Sequence, residues 1–201
     1  MALYEAERER AQREHGAPDE VTVDVSAPAL GAARDALWRA TRLAPELWRA
    51  HYYLGRVYRD LDDSHQAAEQ FTRAIATHPM YRAGYIALSE LYRSWDYIDQ
   101  ALAVAKLGTT YLPSDAELWC ELGMAYGARR ADDQAIAAFD RALALRPQDM
   151  TARFQRGQVH ARRGDVVNAR RDLEAVVASR DAATAPWQPI ARELLVRLPR
   201  R

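Results

Sequence analysis

The sequence predicts an all-α chain built as a solenoid of 34-residue helix-turn-helix units, and three observations predict it. Prolines recur at 45, 79, 113 and 147 with an even spacing. Small residues keep the same beat: Ala33, Ala67, Ala101, Ala135 and Ala169 form one series, and Gly55, Ser89, Gly123 and Gly157 another. Counting each unit from Trp48, Arg82, Ala116 and Met150, positions 4, 7, 8 and 11 fall on one stripe of a 3.6-residue helix. A single helix pair cannot bury such a stripe, but a stack of about three or more can.

Each unit follows the same local logic. Small residues at positions 8, 20 and 27 let its two helices approach closely. Proline at position 32 cannot continue a helix and biases the residue before it to extended geometry, so the pair ends there. The third copy reads Trp119, Leu122, Gly123, Tyr126, Ala135, Phe139, Ala142, Pro147. The first reads His51, Leu54, Gly55, Tyr58, Ala67, Phe71, Ala74, Pro79. This pattern resembles the tetratricopeptide repeat. The resemblance implies a right-handed α-solenoid of about four and a half repeats, with an N-terminal extension and a C-terminal capping helix. Pentatricopeptide repeats, with a slightly longer period and a basic groove, fit less well.

From the amino terminus, residues 1–26 form an acidic extension with seven acids against three arginines. Within it, residues 1–15 read as a charged helix and "EVTVDV" as a short extended segment. Residues 27–47 form a half repeat: one helix with Ser26 as candidate N-cap, Pro28 in its first turn, and only second-helix markers, Ala33, Leu37 and Ala40. The full repeats span 48–81, 82–115, 116–149 and 150–181. Residues 182–201 supply the capping helix, opened by Pro189 and carrying Ile190, Leu194 and Leu195, with Trp187 packed nearby.

Two repeats depart from the pattern. In the second, Ala105 stands where an aromatic is usual and Gly108 sits inside a helix at about 1 kcal/mol relative to Ala. Either Trp95 or Tyr97 fills the space, or the repeat is locally soft. In the fourth, Arg153, Arg156 and His160 replace apolar markers, and Arg153 at position 4 leaves the local packing open.

Composition narrows function by exclusion. Formal net charge is zero, so no bulk field draws the chain to nucleic acid or an anionic membrane. Lys106 is the only lysine, which reads as a compositional bias toward arginine. One cysteine, no apolar leader and no long apolar run lead to a cytoplasmic expectation, without membrane insertion. The five histidines lack metal spacing, no phosphate-cradling glycine loop is present, and "DLDDS" and "ADDQA" are acidic pairs placed to cap helices. Arg163-Gly164-Asp165 matches an adhesion triplet but lies where the turn wants Gly then Asp. No enzyme, metal or cofactor is expected.

The remaining face of each first helix, positions 2, 5, 9 and 12, lines the concave peptide-binding groove in proteins of the resembled family. Position 5 gives an apolar row, Tyr52, Ile86, Cys120 and Phe154. Beside it lie Arg56, Glu90, Met124 and Gln158 at position 9, and Arg59 and Arg93 at position 12. Such apolar surface marks a binding site unless terminal elements cover it. The carboxylate clamp that some relatives use for chaperone tails has Tyr52, Arg56, Ala87, Glu117 and Glu121 at its positions here; with two acids in place of cations, no such binding is expected. The reading is an adaptor or scaffold that takes a partner peptide or helical segment with apolar anchors. Self-association through the N-terminal segment, or service as a regulatory subunit of an enzyme complex, is the alternative.

Overall fold

The computed structural model describes residues 27–181 and 184–199. Among these there are ten α-helices and no strand: α1 Ala27–Leu43, α2 Trp48–Asp60, α3 Ser64–Thr77, α4 Arg82–Ser94, α5 Ile98–Tyr111, α6 Ala116–Ala128, α7 Asp132–Leu145, α8 Met150–Arg163, α9 Val166–Ala178 and α10 Gln188–Arg197. The expected charged helix, the "EVTVDV" strand and the Ser26 cap lie outside the described residues. The chain divides into two units, one ending at Leu88 and one beginning at Ser89. The division follows from stacking, because each pair touches only its neighbours and no common core gathers them.

Within each pair the turn is set by one left-handed residue. Asp62 (φ 59°), Asp96 (φ 62°), Arg130 (φ 62°) and Gly164 (φ 79°) recur once per repeat. The residue after each sends its N–H back to the carbonyl five positions earlier: Asp63 to Tyr58 at 2.8 Å, Tyr97 to Tyr92 at 2.8 Å, Ala131 to Tyr126 at 3.0 Å and Asp165 to His160 at 2.9 Å. This double-bonded helix end satisfies carbonyls the helix cannot reach itself. Only Gly164 meets the left-handed requirement without a side chain, which accounts for the "RGD" triplet as turn chemistry. Asp63 and Asp165 then cap α3 and α9, accepting from Gln66 N and Asn168 N at 3.2 Å each. In "ADDQA" neither aspartate occupies the cap; that place is Ala131, and Asp132 and Asp133 pair with Arg162 and Arg163.

Between pairs a second device repeats. The carbonyls of Pro45, Pro79, Pro113 and Pro147 accept hydrogen bonds from His51 Nε2 (3.0 Å), Tyr85 Oη (2.9 Å), Trp119 Nε1 (2.8 Å) and Arg153 Nη2 (2.8 Å). All four donors stand at repeat position 4, six places beyond the proline. Four different side chains share one property, a donor on an arm long enough to reach back. Arg153 therefore fits the position that its charge had put in question. Asp115 and Asp149 complete these turns, capping α6 through Glu117 N (3.0 Å) and α8 through Ala152 N (3.0 Å).

The two helices of a pair touch where a side chain is missing. A Cβ on Gly55 would lie 2.7 Å from the Phe71 ring, one on Gly123 2.6 Å from Phe139, and one on Gly157 3.2 Å from Leu173. The second repeat carries two small residues here: Ser89 replaces the glycine, Ala105 replaces the ring, and both are fully buried. Ser89 Oγ donates to the Ala101 carbonyl at 3.3 Å. Ala105 itself packs with Ala101, Leu102 and Leu122, and Tyr92 and Trp119 pack against that cluster. Trp95 instead stands edge-on to Tyr92 and Tyr97, and Tyr97 is half exposed.

At the carboxy-terminal end Phe154, Leu173 and Val176 pack with Ala191 and Leu198, and Trp187 stacks on Phe154 at 5.8 Å. Leu194 and Leu195 join this cluster as expected, but Ile190 faces outward at 44% exposure. Ala191 begins the inward stripe in its place.

Both repeated contacts can be tested through stability. Tyr85→Phe removes the donor to Pro79 and is expected to cost about 1 kcal/mol in chemical denaturation; an unchanged midpoint would show that the backward bond does not hold the turn. Gly123→Ser is expected to cost about 1–3 kcal/mol. Adding Phe139→Ala, which recreates the Ser89/Ala105 pair, should cost less than the two changes summed, whereas strict additivity would refute reciprocal packing.

Candidate functional site

In the first unit, the α2 face carries an aromatic cluster. Tyr81 lies 4.2 Å from Trp48 and 4.9 Å from Tyr52 between ring centres, and Tyr52 lies 5.7 Å from Phe71. Burial, reinforced by Tyr52 beside it, pushes the Tyr81 phenol above its ordinary range. The Arg56 guanidinium stands over Tyr52 and Tyr53 at 5.9 and 5.5 Å, and Arg59 lies 3.4 Å from Asp60. Ile86 on α4 is half-buried. Tyr52, Arg56 and Arg59 are thus brought to one helix face, half-buried rather than open.

In the second unit the position-5 residues lie beneath the surface. Cys120 is 4% exposed and Phe154 3%. Cys120 shares a cluster with Phe139, Ala152 and Val159, so the following helix pair closes over it. Burial, then the acids Asp149 and Glu121, push its thiol far above the usual range, which leaves it an inert apolar contact. Phe154 is covered by Trp187. The expected exposure of this half of the row is therefore not found.

What is accessible is a pocket of about 240 Å³ lined by Arg93 from α4, Met124 and Gly127 from α6, and Gln155, Gln158 and Arg162 from α8. Arg93, Met124 and Gln158 were expected on the groove face; Glu90 is exposed on α4 outside the pocket. Gln155 and Arg162 were missed. The signal was present, since 155, 158 and 162 are spaced i, i+3 and i+7 on one helix face. The accessible stripe is turned away from position 5 because that position is claimed by the next pair.

The pocket charges are partnered. Arg93 Nε and Nη2 donate to Glu121 Oε1 and Oε2 at 3.0 and 3.3 Å, and Glu121 is 1% exposed. Arg162 Nε donates to Asp132 Oδ2 at 3.1 Å and its Nη2 to the Gly127 carbonyl at 3.3 Å. Hydrogen bonds from Arg162 hold the Asp132 carboxyl below the usual carboxylate range. Glu117 pairs with Arg146 at 3.1 Å. Both acids that stood at clamp positions are thus neutralised in place. Deeper in the unit, Arg156 makes two 2.7 Å bonds to the fully buried Asp172 and also pairs with Asp140.

His51 and His160 are buried at packing positions. His51 Nδ1 lies 2.8 Å from the Gln70 side-chain amide. Among the described residues no group of three His, Cys, Asp or Glu side chains lies together as metal ligands, and no helix is long and apolar enough to cross a membrane.

Three tetratricopeptide repeat models match the chain, over residues 49–79, 96–149 and 125–198, together more than half of its length. No curated protein sequence matches. Among solved structures, the tetratricopeptide repeat protein TTC0263 of Thermus thermophilus is similar at 23% identity and a TM-score of 0.65, covering 94% of this chain and 98% of that one. MamA from Desulfovibrio magneticus RS-1, residue 41 to its end, is similar at 18% identity and a TM-score of 0.64, covering 90% and 99%. YrrB, described as a protein of this repeat type with an unusual peptide-binding site, is similar at 17% identity and a TM-score of 0.63, covering 81% of each chain. At these identities the likeness concerns the fold.

The Arg93–Glu121 pair yields a test of its own. Arg93→Leu strands a buried carboxylate and is expected to destabilise the chain by roughly 3–5 kcal/mol. Glu121→Leu added to it should restore most of that loss in thermal unfolding, and no recovery would mean that Arg93 acts elsewhere.

Proposed function

Because the chain belongs to the tetratricopeptide repeat family, we propose that it is a non-enzymatic adaptor or scaffold that holds a peptide or helical segment of a partner protein against its first helices. The observation that carries this reading is the pocket of the second unit, where Arg93, Met124 and Gln158 line one accessible recess. Small mixed recesses of this kind suit side chains of a docked segment. Tyr52, Arg56, Arg59 and Ile86 offer a second, aromatic and arginine-bearing face in the first unit, and Glu90 an exposed charge on α4. Cys120 and Phe154 serve beneath the surface, fixing the helices that carry the contacts. The repeat boundaries drawn from the sequence and a cytoplasmic setting are part of the same proposal. Self-association through the acidic segment 1–26 is the second reading, supported by the charge asymmetry of the sequence.

Met124 tests the reading because it is half-buried in the recess. Met124→Glu should keep the thermal midpoint within a few degrees yet reduce capture of specific partners by the immobilised full chain by about tenfold or more. An unchanged partner set at an unchanged midpoint would overturn the groove reading.

A further inference from the structure

The pocket of the second unit has hydrogen-bond donors to spare. Arg93 engages Glu121 through Nε and Nη2, and Arg162 engages Asp132 and the Gly127 carbonyl through the same two nitrogens. Neither Nη1 takes part in these bonds. The half-buried side-chain amides of Gln155 and Gln158 make no hydrogen bond among the described residues, although both line the pocket. Each Nη1 brings two N–H groups, and each amide brings two N–H groups against one carbonyl. The converging groups are therefore rich in donors and poor in acceptors.

An acceptor-only ligand group complements such a lining, and a carboxylate is one. Bonds from guanidinium and amide donors to an ionised oxygen are roughly twice as strong as their neutral counterparts. The charge balance limits the anion. Glu121 and Asp132 already offset the two arginines, so the site suits a monoanion better than a dianionic phosphate. Size limits it further: about 240 Å³ lies below the roughly 300–1,000 Å³ of drug-sized sites but leaves ample room for a carboxylate-bearing side chain. Arg156 shows that a guanidinium in this chain takes two carboxylates at once, Asp172 and Asp140.

We propose that this pocket receives the carboxylate of an aspartate or glutamate side chain on the bound partner segment. The proposal rests on the protein-binding reading above and names the side chain that reading leaves open. Arg93 and Arg162 contribute the Nη1 edges, Gln155 and Gln158 orient the oxygens, and Met124 flanks the aliphatic stem. The residues differ from those at the clamp positions, which hold Glu117 and Glu121 here.

The test is an NMR titration of the ¹⁵N-labelled full chain with three probes: N-acetylglutamate amide, its neutral isostere N-acetylglutamine amide, and N-acetylphosphoserine amide. The glutamate probe is expected to shift the side-chain amide signals of Gln155 and Gln158 saturably and to bind about tenfold more tightly than the glutamine probe. Phosphoserine should bind no tighter than glutamate. Gln155→Leu with Gln158→Leu should abolish probe binding, followed in these variants through the backbone amide signals of α6 and α8, with the thermal midpoint retained, and Gln158→Glu should abolish it by repulsion. No saturable shift, equal response to the neutral probe, tighter binding of phosphoserine, or a response that survives in these variants would overturn the proposal. Loss of partner capture by Met124→Glu without any probe response would sink the pocket assignment alone. Probe binding with partner capture unaffected by Met124→Glu would instead sink the groove reading.

Discussion

Everything in this chain depends on how the two ends of each first helix are tied. At its carboxy-terminal end a left-handed residue, at 62, 96, 130 or 164, and the residue after it each return an N–H to a helix carbonyl. At its amino-terminal end the position-4 side chain reaches back to a proline carbonyl. Fixed at both ends, the helix cannot rotate about its axis. Positions 7 and 8 then face the partner helix, position 5 faces the following pair, and positions 9, 12 and 13 are left accessible.

Close helix approach follows from that orientation. Gly55 and Gly123 leave room for the rings of Phe71 and Phe139, while the second repeat has two small residues, Ser89 and Ala105, at the same positions. One contact position is thus met by different residue sets, and in the second repeat Tyr92 and Trp119 pack against the cluster that holds Ala105. The same economy appears at position 4, where histidine, tyrosine, tryptophan and arginine are equivalent as donors though not as hydrophobes.

Buried carboxylates supply the remaining order in the second unit. Glu121 and Asp172 are each held by an arginine fork, and removing either arginine would leave a charge without water or partner. This arrangement decides what the accessible face can do. Arginines that stand in a groove by spacing alone are partly committed to the protein's own acids, so the recess offers directed N–H groups in place of net positive charge.

The period, the pairing of helices and the family were legible in the amino-acid order alone, because proline, glycine and alanine act on the backbone locally and repeat their effect in every unit. Helical spacing also marked Arg93, Met124 and Gln158 as groove-side, since it assigns a face without knowledge of neighbours. Folding was needed to settle that Cys120 and Phe154 are covered, that Gln155 and Arg162 join the recess, and that Arg93 belongs first to Glu121. Those outcomes depend on which side chain from another helix arrives at a given face, and Arg93 and Glu121 come from different repeats. Periodicity assigns a residue to a face; burial and charge pairing depend on what that face meets.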